Sequence, residues 1–227
     1  MDFEWVNALD EGQGQQRHEE LGSPRVPSLV LDGKAIRLLQ VSQIASALGL
    51  PMPSIGEVHR LAWDTVPILE DWIEILQHVE WEYLLTPTRS RNRSIRNLTV
   101  NTFHPFELLP DAWHSAEFLW DSAGPLEIER EGQMTDKETL LAWMQRTSNS
   151  WQSFLLDHEE ELQGEGPFTH TIRGDVAYNV VLNGQRWHAA WHHRQIVDHL
   201  RDGGKDIGIP LDVEMLAEDM KLPATIY

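Results

Sequence analysis

A chain of 227 residues, 41% of them hydrophobic and with 10 tryptophans, holds enough apolar material for one large domain or two small ones. Its 18 basic and 36 acidic residues give a net charge of −18, which argues against a nucleic-acid or anionic-membrane partner, since such a field repels phosphates. The absence of cysteine excludes disulfides, thiolate nucleophiles and CxxC redox chemistry, and no apolar run approaches the ~18–20 residues that cross a bilayer.

In chain order, FEWVNAL (3–9) reads as a short strand, and the polar stretch from Glu11 to Leu21, stopped by Gly22, as a short helix. VPSLVLDGKAIRLL then supplies two β-rich runs joined at Asp32-Gly33, a strong hairpin signal. VSQIASALGL (41–50) has helical spacing and is closed by Pro51.

From Ser54 the pattern is helical. Apolar residues recur three and four apart from Val58 to Tyr83, and Pro67 is expected to bend this helix rather than end it. Arg89, Arg91, Arg93 and Arg96 form a solvated basic loop leading into a second helix from Ser94 towards Trp120. SAGPLEIEREGQM reads as a connector. Thr135 and Glu138 form a Thr-x-x-Glu capping box that opens a third helix, GEGPFTHTIRGD reads as a loop, and a fourth helix runs from about Val176 to Leu200, stopped by Gly203-Gly204. The tail beyond residue 205 holds a short helix at most. The expected fold class is therefore α+β in two parts: a small α/β segment over residues 1–52, an antiparallel four-helix bundle over 54–204, and a tail over 205–227.

The chemistry-bearing stretch is RWHAAWHHRQI (186–196). His188 and His192 are four apart and share one helix face, the spacing at which two imidazoles grip one ion. His193 points about 100° away, outward or behind the pair. Zinc, nickel or a similar divalent ion with imidazole ligands takes about three protein groups and keeps an open position. Asn101 and His104, one turn apart on the second helix, offer the third group. His104 is preferred because imidazole outranks a neutral amide, although Pro105 disfavours helical geometry at His104. Glu107 and Asp198 stand where they could orient an imidazole N–H, and Trp187 and Trp191 where they could wall the site or simply fill the core. The remaining histidines are expected to be solvated.

Two resemblances follow. The order β-α-(Val26-Pro27)-β-β-α resembles the later part of a glutaredoxin or thioredoxin-like domain, where a cis-proline precedes the third strand. That family's first strand and CxxC helix would lie before Met1, so the resemblance implies a redox-dead remnant. HxxxHHRQI together with SIRNLTVN (94–101) is similar to the DinB/YfiT-like superfamily over roughly residues 54–204. In that pattern the first histidine falls at Asn101 here.

The second resemblance implies a divalent-metal-dependent enzyme, of a kind that includes S-transferases and isomerases using a low-molecular-weight thiol. His104 (or Asn101), His188 and His192 would be metal ligands, Arg194 would hold a substrate carboxylate, and the cosubstrate thiol would be the nucleophile. The expected partners are a small-molecule substrate and a second copy in a homodimer, with no nucleic acid and no membrane. The expected location is the cytoplasm, since MDFEW has no signal-peptide character. The alternative is a non-catalytic dimeric protein with a structural or vestigial metal site.

Overall fold

The computed structural model describes residues 6, 12–22, 28–31, 34–37, 48, 55–88, 93–122, 124–172, 174–213 and 222. The chain divides into two units, Met1–Ser54 and Ile55–Tyr227. In the first, the polar helix α1 (Gln13–Glu20) ends before Gly22, whose φ of 82° only glycine adopts freely. An antiparallel pair follows, β1 (Ser28–Leu31) on β2 (Lys34–Arg37), in register Leu31↔Lys34. Apart from Val6 and Leu48, the expected strand at 3–9 and the helix at 41–50 lie outside the described residues, as does the Val26-Pro27 bond.

The second unit is built on helices. The first helical pattern is not one bent helix: α2 (Val58–Trp63) stops, and α3 (Val66–Gln77) starts with Pro67 in its first turn. There the missing N–H costs nothing, so proline begins a helix more readily than it kinks one. After the single turn α4 (Trp81–Leu84), α5 (Ile95–Ser115) opens with a reciprocal cap in which Ser94 Oγ accepts from Asn97 N at 3.1 Å and Asn97 Oδ1 accepts from Ser94 N at 3.1 Å. It continues as helix through His104, Pro105 and Pro110 and ends at Ala116 in the left-handed region (φ 58°), short of the expected Trp120.

Two segments expected to be irregular are ordered. Residues 125–133 form α6 (Pro125–Gln133), and β4 (Phe168–Thr171) and β5 (Gly174–Ala177) form a hairpin. Strand β3 (Glu117–Phe118) joins β4 in parallel, giving a three-stranded sheet of order β3-β4-β5. The long helix α7 (Lys137–Asp157) is capped by Asp136, not Thr135; Asp136 Oδ1 accepts from Thr139 N at 2.8 Å. Helix α8 (Tyr178–Asp202) carries the histidine stretch and ends at Gly203.

Helices α3 and α5 each pack against both α7 and α8. Between them Trp72, Trp151, Phe103, Phe106 and Tyr178 are fully buried, each contributing about 2–3 kcal/mol of apolar burial. Their polar atoms are satisfied inside the core. Trp72 Nε1 donates to Thr99 Oγ1 (3.1 Å), Trp151 Nε1 to Thr65 Oγ1 (2.9 Å) and Tyr178 OH to the Leu109 carbonyl (2.9 Å). Burial also holds the Tyr178 phenol far above its ordinary pKa, so it stays a donor. Among the described residues no helix is long and apolar enough to cross a membrane. The fold is mixed α+β and mostly helical, with a small sheet.

Candidate functional site

Helix α8 separates its histidines by face. His188 and His192 meet edge to face with ring centroids 4.5 Å apart. His192 Nδ1 bonds the Oε1 of buried Gln195 at 2.6 Å, one turn further along. On the other side of His188 the indole of Trp120 lies 5.4 Å away, centroid to centroid. Trp187 and Trp191 stack on each other at 5.9 Å and 15°, and Trp120, which sequence reasoning did not single out, is the aromatic wall of the pair.

His193 is neither outward nor solvated. It is 1% exposed, its Nε2 lies 2.6 Å from Asp71 Oδ2 on α3, and Trp72 packs edge-on against it. The signal for this was present in the spacing: Ala189, His193, Ile196 and Leu200 recur at core-facing intervals along the helix. One turn earlier Arg186, also 1% exposed, pairs with Asp64. Two buried charged or polar contacts therefore tie α8 to the N-terminal helices of this unit.

Asn101 sits fully buried on α5 and is held by its amide nitrogen, which donates to Ser122 Oγ (2.9 Å) and Glu127 Oε2 (2.8 Å). Ser122 is two residues from Trp120, so the segment covering His188 also grips Asn101. The Asn101 Oδ1 is buried with no hydrogen-bond partner, and Pro105 brings no N–H to its main-chain carbonyl. Glu127, within the stretch whose sequence reads as a connector, is 2% exposed, whereas its neighbours Leu126 and Ile128 are 54% and 62% exposed. Helix α6 thus turns a carboxylate inward and two aliphatics outward, the reverse of an ordinary surface helix.

His104 is in a different setting. Its ring is 4% exposed and its Nδ1 has no hydrogen-bond partner. Burial depresses its pKa, with the nearby Glu107 carboxylate opposing this and the Arg130 guanidinium adding to it. Glu107 is engaged by Arg130 Nη2 at 2.8 Å and by Trp143 Nε1 at 3.3 Å rather than by an imidazole.

Among the described residues no group of three His, Asp or Glu side chains is placed to hold a metal ion. His104 is therefore not gathered with His188 and His192. In chemical type, the paired α8 imidazoles suit a borderline cation, and the orphaned Asn101 oxygen is a neutral amide donor, weaker than imidazole.

Arg194 lies elsewhere. With Arg201, Asp198, Pro210 and Asp212 it lines a polar cavity of about 340 Å³ that includes neither His188 nor His192. Its guanidinium lies 5.8 Å over the Trp191 ring. On a helix it falls about 200° round from His192, so it reaches a different face.

Comparison of the chain with protein-family models, with curated proteins and with solved structures finds no match.

Proposed function

We propose that the helical unit is a DinB-like four-helix bundle that binds a divalent ion through His188 and His192, with Asn101 Oδ1 as third donor, and catalyses thiol-dependent group transfer on a small electrophile. The observation that carries this reading is that one short segment, Trp120–Ser122, touches both the paired imidazoles, through Trp120 on His188, and the residue with the unsatisfied buried oxygen, through Ser122 on Asn101. A bound ion would lower the pKa of a coordinated thiol and so supply the nucleophile that this cysteine-free chain lacks. The chain's own residues do the rest. Trp120 shields His188 from water, Ser122 and Glu127 hold the Asn101 amide in one orientation, and Gln195 holds His192. Arg194 belongs to the separate cavity and is not assigned to the reacting substrate.

The test is elemental analysis of untagged protein after exposure to zinc or nickel, followed by turnover of an electrophile with a low-molecular-weight thiol. About one equivalent of ion, lost in His188→Ala, is the expected result. A content below ~0.2 equivalents would overturn the reading.

A second reading rests on the finding that, among the described residues, no third His, Asp or Glu is grouped with the pair to hold an ion. In it the corner binds metal weakly or not at all, and the protein acts as a non-catalytic binding module. Metal uptake without thiol-dependent turnover would favour it.

A further inference from the structure

Gln195 is among the most buried polar residues of α8, at 4% exposure, and its amide oxygen lies 2.6 Å from His192 Nδ1. An amide oxygen only accepts, so the imidazole nitrogen must donate. We infer that Gln195 is a positioning residue that holds His192 in its Nδ1–H tautomer, leaving Nε2 as the lone-pair nitrogen offered to a cation. This inference rests on the reading of His188 and His192 as an ion-binding pair.

A neutral imidazole carries one proton and can place it on either nitrogen, so half of its orientations and tautomers present no lone pair in a given direction. A partner that can only accept removes that choice before any ligand arrives, and ligating histidines commonly have their second nitrogen held in this way. Spacing makes Gln195 the natural partner: it lies three residues beyond His192 on the same helix face, where side chains meet, whereas Arg194 projects about 200° away. His193, one position along, shows the contrasting case. Its Nε2 is engaged by the Asp71 carboxylate inside the core, so that nitrogen is committed to holding α3 and is not presented to a ligand. The two adjacent histidines are thus oriented through opposite nitrogens, one for structure and one for binding.

The experiment has two arms on the full-length, metal-free protein. Long-range proton–nitrogen NMR at a pH where the imidazoles are neutral reads the tautomer of His192 directly. The wild type is expected to show Nδ1 protonated and Nε2 bare, Gln195→Glu to keep that pattern because a carboxylate also accepts, and Gln195→Leu to shift towards the Nε2–H form. Calorimetric titration with Ni²⁺ is the second arm. Gln195→Leu is expected to weaken binding by about 10-fold or more, the usual scale for loss of such a partner, and Gln195→Glu to stay within about 3-fold of the wild type.

A wild-type His192 already in the Nε2–H form overturns the inference even if Gln195→Leu fails to fold. So does a folded Gln195→Leu variant that binds Ni²⁺ like the wild type, in which case the ion-binding reading still stands. If the wild type shows the expected tautomer but takes up no Ni²⁺, the ion-binding reading fails and the orienting role of Gln195 is retained without a ligand.

Discussion

Asn101 shows how much one side chain decides at this corner. Both of its amide protons are used, one by Ser122 and one by Glu127, in a place where neither Asn101 nor Glu127 reaches water. Asn101→Leu keeps the branched shape but removes a hydrogen bond from a buried carboxylate. It is expected to lower stability by about 2–3 kcal/mol, read as a fall in the urea midpoint. His104 makes a prediction about pH. Its folded pKa is depressed by burial, so below the unfolded value near 6.5 the unfolded chain binds more protons than the native one. Stability attributable to His104 is therefore complete above that value and declines as pH falls towards the folded pKa. His104→Gln removes this term, and the loss of stability between about pH 7.5 and about pH 5.5 should be smaller in the variant, by no more than about 1.4 kcal/mol per pH unit. Urea midpoints of the two proteins at both pH values check the sign; an equal or steeper decline in the variant would contradict it.

At the scale of elements, the ends of helices and turns are where single changes have clear consequences. Ala116 closes α5 at φ 58°, a conformation that costs a residue with a Cβ roughly 1 kcal/mol. Ala116→Gly is expected to raise stability by about 0.5–1 kcal/mol, seen as a higher melting temperature. Gly166 is the opposite case. It has φ 75°, and an added Cβ would stand 2.8 Å from Trp113 Cζ3 and 2.9 Å from Tyr178 Cβ. Gly166→Ala should therefore cost about 2 kcal/mol or more by the same measurement.

The elements that could be read from the sequence were those whose own periodicity or punctuation defines them: the antiparallel pair β1 and β2, the start of α5 at Ser94, and α8 with its glycine stop. Helix α6 could not be read, because Leu126 and Ile128 are two apart and face solvent while the inward residue is Glu127. A hydrophobic pattern cannot reveal a helix held in place by a buried carboxylate. Strand β3 has two residues, and its partner β4 begins 50 positions later, so no local signal marks it. The candidate site divides in the same way. The His188/His192 pair follows from helical spacing alone, but Trp120, Ser122 and Glu127 reach the corner through tertiary packing.

For the molecule as a whole, the buried hydrophobic residues among those described run from Val58 to Val213, and every donor assigned to the candidate site lies in the same stretch. Cohesion of this unit comes from long-range contacts: Trp151 to Thr65, Arg186 to Asp64, His193 to Asp71 and Asn179 to the Gly56 carbonyl each close more than 80 residues of chain. All of these begin at or after Gly56. A chain that buries its own apolar surface and closes its own long-range bonds meets the conditions for independent folding. Residues 55–227 expressed alone are therefore expected to give one cooperative urea transition, with helical circular dichroism lost in step with tryptophan fluorescence. Ni²⁺ affinity should stay within about 3-fold of the full-length protein, the tolerance set above for an intact pair. Non-coincident transitions would show that the unit depends on residues outside it. A fragment that folds cooperatively but loses Ni²⁺ would overturn the proposed assignment of Asn101, His188 and His192 as a sufficient set of donors.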